Sequence, residues 1–250
     1  MNPLSADWPA PPPVRTASTT RQGGVSQPPF DSLNLAGHVG DRPTDVAANR
    51  QRLIKALSLP DSPQWLNQIH GTTVVDLDAG PGGLPEGDAS TTRRPDRVCA
   101  VLTADCLPVL FCDQAGTQVA AAHAGWRGLV GGVLEATVAS FTAGPEQIMA
   151  WLGPAIGPQA FEVGEEVRQA FCEFDPAAAE ACVAAPAVAG VPKWTVDIYT
   201  LARQRLARSG VGAVYGGGRC TFSEAGQFYS FRRDGKTGRM ASLIWLDGGS

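Results

Sequence analysis

Short apolar runs alternate with segments of helical spacing along most of the chain, and this pattern constrains the fold more than any other feature. Residues 97–113 are rich in Val, Leu and Cys, and a shorter apolar run covers residues 118–122. Residues 128–141 then place apolar side chains at helical intervals, and residues 148–152 form another apolar run that ends at Gly-Pro. Such alternation predicts an α/β fold with a mixed sheet or a pair of sheets.

Further elements follow from the same rules. The remaining predicted helices cover residues 41–57, 163–174 and 196–209, where Thr195 is a candidate cap. Two short strand-like runs lie within residues 65–78, and closing strands are predicted at residues 211–215 and 240–246.

The length and composition predict one catalytic domain with little outside it. The chain has 250 residues, of which 44% are hydrophobic and 18% charged, so it can bury a sizeable core. Residues 1–19 are rich in proline and are expected to form a weakly packed tail, which leaves residues 20–250 as a single domain. Residues 175–191 are rich in Ala and Pro and are interpreted as a surface excursion.

The charge and hydropathy exclude some partners. The net charge of −4 argues against binding to nucleic acid or to an anionic membrane surface. No apolar run reaches the ~18 residues of a membrane span. Residues 1–20 contain no apolar segment typical of a signal peptide, so we expect a cytoplasmic protein.

Histidine and cysteine counts narrow the metal chemistry. The chain contains only three histidines, His38, His70 and His123. A copper oxidase with a blue copper site and a trinuclear cluster needs many more imidazoles, so that chemistry is excluded. The six cysteines show no paired spacing, and we interpret them as free thiols or ligands.

Three candidate ligands occur in a similar local context. His70, Cys106 and His123 each stand at or near the end of an apolar run, just before a glycine or proline break. Ligand sites gather where loops leave the strands of a sheet, and two imidazoles with one thiolate would leave a fourth zinc position open for catalysis. The spacing matches no compact zinc motif. The alternatives are a Cys nucleophile with a His base, or ordinary structural roles for all three residues.

Several polar residues could bind substrate. Arg127 stands where a strand runs into a helix, so the free N–H groups there could hold an anion, although an ordinary strand-to-helix turn explains the same residues. Residues 232–239 form a basic turn that includes Arg233 and could line a phosphate or an acidic substrate, or could be a solvated hairpin tip. His38 lies in an N-terminal loop that could face the same substrate pocket as these arginines.

A set of short motifs, taken in order, closely resembles the YfiH-like family, also called the laccase-domain or polyphenol oxidase family. The resemblance runs over about residues 20–246. The motifs are TRQGGVS at 20–26, SLNL at 32–35, HVGD at 38–41, NR at 49–50, QIHG at 68–71, GDA at 87–89, TADCLP at 103–108, HAGWRG at 123–128, LGPAIG at 152–157, FRRDG at 231–235 and TGRM at 237–240.

The resemblance implies a fold and a site. It implies a four-layer arrangement of two packed mixed β-sheets flanked by helices, similar to the catalytic domain of cytotoxic necrotizing factor toxins. It also implies a zinc ion held by His70, Cys106 and His123, which are at the same time the catalytic residues. The substrate-binding candidates are Arg127, His38, Arg50 and Arg233.

The implied activity concerns purine nucleosides. Family members are credited with phosphorolysis of adenosine, inosine and methylthioadenosine, with deamination of adenosine, and with editing of peptidoglycan precursors. We therefore predict a zinc-dependent purine nucleoside phosphorylase with adenosine deaminase activity, which acts as a monomer on small molecules. However, the His-x-Glu motif usual in zinc deaminases is absent from the sequence.

Two rival functions remain open. The first is an amidase or peptidoglycan-precursor hydrolase in which Cys106 is the nucleophile and His123 or His70 the base. The second is a non-catalytic purine-binding or partner-binding protein with a structural metal.

Overall fold

The computed structural model describes residues 1–248. Its strands are β1 Val14–Ser18, β2 Val74–Asp76, β3 Ala89–Thr92, β4 Val98–Thr103, β5 Leu107–Asp113, β6 Val119–Ala124, β7 Ile148–Leu152, β8 Glu162–Gly164, β9 Cys182–Val188, β10 Val191–Val196, β11 Ala213–Gly216 and β12 Met240–Leu246. Its α-helices are α1 Pro43–Leu57, α2 Trp126–Gly131, α3 Val133–Ala139, α4 Glu165–Phe174, α5 Ile198–Arg208 and α6 Phe231–Asp234. Three short 3-10 helices cover Leu77–Ala79, Pro145–Gln147 and Pro176–Ala181.

Two sheets pack face to face at the centre of the molecule. The larger is a mixed six-stranded sheet in the order β11-β7-β5-β6-β3-β2, and the smaller is an antiparallel sheet in the order β1-β12-β4. Leu110 and Cys112 of the larger sheet pack against Val101 and Ile244 of the smaller one. Because successive side chains of a strand point to opposite faces, the neighbouring residues of β5 face the other way.

Helices cover the outer faces of both sheets. Val109 and Phe111 pack with Leu129, Leu134 and other residues from α2, α3 and α5 on one side of the molecule. On the opposite side, α1 packs against the smaller sheet. The predicted α/β class is therefore confirmed, with four layers in the order helix, sheet, sheet, helix. The central strands are buried on both faces, which explains why they appear as continuous apolar runs in the sequence.

The helix predicted over residues 128–141 is divided in two. Gly132 has φ 101, a left-handed conformation that ends α2 before α3 begins at Val133. Only Val74–Asp76 of the two runs predicted within residues 65–78 forms a strand. The rest of that region is mainly loop, and this loop carries His70.

The expectation of a weakly packed tail over residues 1–19 is corrected by the structure. Strand β1 pairs with β12, with Val14 opposite Leu246, and forms an edge of the smaller sheet. Asp7 accepts a hydrogen bond of 2.7 Å from Nε1 of Trp151. An edge strand is held largely by backbone hydrogen bonds, so its sequence carries little apolar signal. The five prolines within residues 1–13 therefore led to the prediction of a tail where the structure has a strand.

The Ala- and Pro-rich insert is also more ordered than its composition indicates. Strand β10 pairs with both β8 and β9 in a third sheet of the order β8-β10-β9. Most side chains of β9 are exposed, so the alternation of buried and exposed residues could not reveal it. Helix α5 is capped by Asp197 and not by Thr195. The Asp197 carboxylate accepts hydrogen bonds from the backbone N–H groups of Tyr199 and Thr200. Across residues 1–248, no helix combines the length and hydropathy needed to cross a membrane.

Candidate metal centre and active site

Three chain segments meet at one edge of the central sheet. His70 lies on the loop before β2, Cys106 lies in the turn between β4 and β5, and His123 lies near the end of β6. The β5–β6 register places Pro108 opposite His123, which brings the preceding Cys106 close to that imidazole. The ligand atoms of all three side chains lie within 4.8 Å of one another, and Cys106 Sγ is 3.9 Å from His70 Nε2.

A buried aspartate holds both histidines in place. Asp88 is fully buried at the start of β3, and its carboxylate lies 2.8 Å from His123 Nδ1. It also accepts hydrogen bonds from the amides of Ile69, His70 and Gly71. Because Nδ1 faces this carboxylate, Nε2 of His123 is directed toward the other two ligands, as in carboxylate–histidine–metal arrangements.

Hydrogen bonding keeps Asp88 ionised. Burial alone would raise the pKa of the Asp88 carboxyl, but hydrogen bonds from His123 and from the amides of Gly71 and Ile69 outweigh it, so the pKa is lowered. The carboxylate can therefore orient the loop and the ring over the whole physiological pH range.

Two of the residues at this edge have unusual backbone conformations. His70 has φ 62 and Asp105 has φ 91, both in the left-handed region that disfavours residues other than glycine. The hydrogen bonds from backbone N–H groups to Asp88 hold the conformation of His70. The Asp105 carboxylate accepts hydrogen bonds from Thr221 Oγ1 and from the backbone N–H of Arg232, and these hold the conformation of Asp105. Strain retained in this way is typical of functional sites, where it fixes the direction of side chains.

Gly125 makes room for the cluster. A Cβ atom at this position would lie 2.9 Å from Cδ2 of His70 and 3.0 Å from Sγ of Cys106. Only glycine allows the start of α2 to approach the two side chains so closely. Gly125 therefore lets the turn between β6 and α2 pass close to His70 and Cys106.

The electrostatics favour a thiolate at Cys106. Burial alone would raise the pKa of its thiol, but the positive charge of His123 and hydrogen bonds with His123 and His70 lower it instead. Conversely, burial would lower the pKa of His123, but the Cys106 thiolate and Asp88 raise it. A thiolate next to imidazoles is prepared either to bind a metal or to act as a nucleophile.

The donor set fits a tetrahedral metal ion. One thiolate and two imidazoles form a frequent ligand set, and bonds of about 2.0–2.3 Å would place sulfur and nitrogen roughly 3.5 Å apart. The observed separation of 3.9 Å requires only a small contraction. Three protein ligands leave a fourth position for a non-protein ligand, which is the arrangement of catalytic rather than structural sites.

Cys106 lines two cavities. The first, which we call the aromatic cavity, has a volume of about 130 Å³ and is lined by Trp126, Phe161 and Phe231 among others. The second, which we call the basic cavity, has a volume of about 250 Å³ and is lined by the three candidate ligands together with His38 and Arg239.

The four predicted substrate-binding residues lie in different surroundings. His38 lines the basic cavity. Arg50 donates to the carbonyl of Leu35 and lies 4.4 Å from the Trp65 ring, beside the cavity but not in its lining.

The other two lie outside both cavities. Arg127 packs over the ring of Trp126 at 4.4 Å, and neither cavity is lined by it. Arg233 donates to the carbonyls of Thr221, Phe222 and Phe228 and so joins loops. Its segment contains a short helix, α6, and not a hairpin tip.

Sequence reasoning missed the residues that support the ligands. Asp88 and Asp105 were not proposed, and Arg239 was included only as part of the basic turn over residues 232–239, although each lies within one of the motifs that carry the family resemblance. A charged residue directly before a run of small buried residues, as at Asp88, was the available signal, because such a charge must find partners when it is buried.

The fold and the cluster define a class. A four-layer α/β protein with a His–Cys–His cluster at the edge of its central sheet, between two cavities, has the features of a metal-binding enzyme. The comparison with known families is consistent with this: residues 15–247 match the family described as multi-copper polyphenol oxidoreductase laccase. The chain belongs to this YfiH-like, laccase-domain family.

Two named relatives are similar in sequence to this chain over nearly their full length. The chain is 57% identical over 239 residues to the Escherichia coli protein named purine nucleoside phosphorylase YfiH, with 96% of each chain covered. It is 56% identical over 243 residues to a Pseudomonas aeruginosa protein named purine nucleoside phosphorylase, with 97% of this chain and 98% of that protein covered.

Solved structures share the fold. A crystal structure of a Neisseria meningitidis protein matches with a TM-score of 0.93 and 56% identity, and covers 99% of this chain and 100% of that chain. The crystal structure of YlmD from Geobacillus stearothermophilus matches with a TM-score of 0.89 and 31% identity, over 98% and 96% of the two chains. The family description mentions copper, but three histidines cannot furnish the copper sites of a laccase.

Proposed function

We propose that this protein is a zinc-dependent purine nucleoside phosphorylase, which converts adenosine, inosine or methylthioadenosine and phosphate into the base and the ribose 1-phosphate. The observation that carries the proposal is the His70–Cys106–His123 cluster between two cavities. The names of the relatives, purine nucleoside phosphorylases at 56–57% identity, supply the reaction class. We further expect a cytoplasmic monomer that acts on small molecules.

Zinc is the metal that suits this ligand set best. A soft thiolate with two imidazoles favours zinc over the hard cations magnesium and calcium, which take oxygen ligands. When bound, zinc supplies a Lewis acid that polarises an oxygen ligand in its open position. The charge of His123 favours the Cys106 thiolate, which is the metal-binding form of the sulfur, and Asp88 orients the His123 ring. Binding of a metal would displace the proton from Nε2 of His123.

Deamination of adenosine is a second proposed activity of the same site. It would need a group that moves a proton between water and the purine amine. Glutamate usually fills this role in zinc deaminases, and no glutamate is among the residues that line the two cavities. His38, on the wall of the basic cavity, is the remaining unligated imidazole that could do so.

One observation favours a different reaction. In space, His123 lies between Cys106 and Asp88, so the three could act as nucleophile, base and orienting carboxylate. Asp88 lies 2.8 Å from His123 Nδ1. This is the arrangement of a cysteine hydrolase. The rival function is therefore an amidase or peptidoglycan-precursor hydrolase in which Cys106 attacks a carbonyl carbon.

Product analysis separates these functions. Purified protein with a nucleoside and phosphate is expected to yield ribose 1-phosphate and free base, measured by chromatography, with about one zinc per chain by metal analysis. Inosine formed from adenosine reports deamination. Absence of turnover with every nucleoside would refute the proposal, and release of the base without any need for phosphate would indicate a hydrolase.

A further inference from the structure

The aromatic and basic cavities meet at one strip of wall. Ala104, Cys106 and Phe231 line both of them. A molecule that reached from one cavity into the other would therefore pass along these three residues, and Cys106 is one of them. The reaction needs such an arrangement, because the two bonds to C1′ of the ribose, one broken and one formed, lie on opposite sides of that carbon.

The aromatic cavity suits a flat ring. Its walls are Trp126, Phe161 and Phe231 together with two isoleucines, Ile156 and Ile198. Aromatic and aliphatic walls of this kind stack on or enclose a heteroaromatic base and offer little to an anion.

The polar side of that cavity is held by internal hydrogen bonds. The Arg232 side chain donates through Nη1 to the carbonyl of Glu162, at 2.8 Å. The carboxylate of Asp105 accepts from Ser230, Thr221 and the Arg232 amide, so its charge is satisfied inside the fold. Asp105 and Arg232 both line this cavity, so its two formal charges are of opposite sign.

The basic cavity has the opposite character. None of the ten residues that line it is an aspartate or glutamate, whereas Arg239 and His38 both contribute to its wall. Nη1 of Arg239 donates to the carbonyls of Thr237 and Gly238, which fixes the guanidinium in place. Within residues 1–248, Arg239 forms no ion pair with a carboxylate.

The charges around His38 agree with this. Burial lowers the pKa of His38, and the positive charges of Arg239 and Arg50 lower it further. Two guanidinium groups thus act on the same small space, and the Cys106 thiolate, the one anionic group in the lining, cannot balance both of them by itself. A dianion such as phosphate would provide this balance, and the planar fork of an arginine matches its oxygen atoms.

The start of helix α2, which the sequence indicated as an anion site, is less suited to bind an anion in the structure. Helix α2 is only six residues long and ends at Gly132, so its dipole is small. Arg127, which was expected to help there, lies over the Trp126 ring and outside both cavities.

We propose that the two cavities divide the substrates, so that the aromatic cavity binds the purine base and Arg239 with His38 binds phosphate in the basic cavity. This inference rests on the proposed phosphorylase function. In the reaction, the C1′–N9 bond breaks and its electron pair leaves with the purine. An oxygen of phosphate forms the new bond to C1′, and the proton of hydrogen phosphate passes to the base.

Steady-state kinetics with phosphate and inosine varied separately test the division. Arg239→Gln is expected to raise the KM for phosphate about tenfold or more, because it removes a charged hydrogen-bond donor. The KM for inosine should stay within about twofold of the wild-type value. Phe161→Leu should do the reverse, since it removes a stacking surface from the aromatic cavity and leaves the basic cavity intact.

Direct binding of inorganic phosphate, measured by calorimetry, provides a readout that does not depend on turnover. Arg239→Gln should weaken this binding about tenfold or more. Arg93→Gln is the matched control, because Arg93 carries the same charge but pairs with Asp76 and Asp78 at the surface. Arg239→Lys keeps the charge and loses the fork, so a folded Lys variant with intermediate affinity supports the assignment even if the Gln variant does not fold.

Two results would overturn the division. One is a wild-type Kd and KM for phosphate in folded Arg239→Gln and Arg239→Lys. The other is an increase of the Kd and the KM for phosphate in Arg127→Gln instead. Failure of the proposed function looks different: the wild type would turn over no nucleoside. Phosphate binding that is lost with Arg239 would support the anion site even then, and a wild type that binds no phosphate would refute it.

Discussion

The two ends of strand β5 each carry a cysteine, and the two thiols differ in almost every physical respect. Cys106 stands in the turn just before the strand, partly exposed beside two imidazoles, whereas Cys112 lies near the other end, fully buried between the two sheets. At ~3.3 Å per residue, the two are about 20 Å apart. The pKa of Cys106 is lowered by His123 and His70, while burial raises the pKa of Cys112 to about 12.

This comparison shows that position relative to the end of the strand, and not residue type, separates a reactive thiol from a structural one. At the turn, backbone leaves the sheet and two other segments bring polar groups to the same point. In the middle of the sheet stack, neighbours are apolar, so a thiol acts as a small hydrophobic group. Cys99 on β4 belongs to the second kind, since burial raises its pKa to about 12 as well.

The largest expected difference between the two ends is in metal content. Cys106→Ala removes one of three ligands and should lose most of the zinc and the phosphorolysis activity together. His70→Ala and His123→Ala should behave alike, and combining the substitutions should cost little more than any single one, because the ligands act as a unit. Zinc per chain after desalting, measured beside the reaction rate, checks this.

Cys112→Ala is the matched control and should keep its zinc. The outcome also decides between the two roles of Cys106. If Cys106 is a nucleophile and not a ligand, Cys106→Ala abolishes turnover while the metal stays bound. A Cys106→Ala protein with full zinc content would therefore contradict the ligand assignment.

The second prediction compares two buried aspartates. Asp88 supports the metal centre, whereas Asp113, at the far end of β5, accepts hydrogen bonds from Thr117 and Gln118 in a turn. Asp88→Asn should lower zinc affinity about 10- to 100-fold, as expected for loss of a carboxylate behind a ligating histidine. Competition with a zinc chelator measures this. Asp113→Asn should leave the affinity unchanged, and equal losses in both variants would mean that general destabilisation is the cause.

The third prediction concerns thiol reactivity after removal of metal by chelation. Iodoacetamide reacts with the thiolate, and the pKa of Cys106 is lowered to about 6 by His123 and His70. Its alkylation rate should therefore stay nearly constant between pH 7 and 8 and decrease only at lower pH. An ordinary thiol with a pKa of about 8.5 would gain several-fold over that unit. Mass spectrometry of peptides should find Cys99 and Cys112 unmodified, because their raised pKa and burial keep them protonated and inaccessible.

Zinc provides the control for this experiment. Restoring the metal should protect Cys106 from alkylation if its sulfur is a ligand. A Cys106 that reacts equally fast with and without zinc would show that its sulfur does not bind the metal.

The sequence predicted the central part of the fold and the three candidate ligands, because buried strands and their ends leave strong local signals. It missed features that depend on distant partners. Strand β1 is recognisable only through its pairing with β12, and the role of Asp88 only through the loop and the ring that it joins. Arg127 was preferred as an anion-binding residue because it stands beside the free N–H groups at the predicted start of a helix. However, only the fold determines which arginine faces the cavity.

The smallest expected effect belongs to the buried end of β5. Cys112→Ala removes one sulfur atom from packing with residues of both sheets, and it should lower the free energy of unfolding by about 1 kcal/mol. Cys112→Ser should cost more, roughly 1–3 kcal/mol, because it places a hydroxyl among apolar neighbours. Urea denaturation of the zinc-loaded protein measures both, with zinc content unchanged. If Cys112→Ser were as stable as the wild type, the interior between the sheets would contain a polar partner or a water molecule, and the contrast with Cys106 would be smaller than we infer.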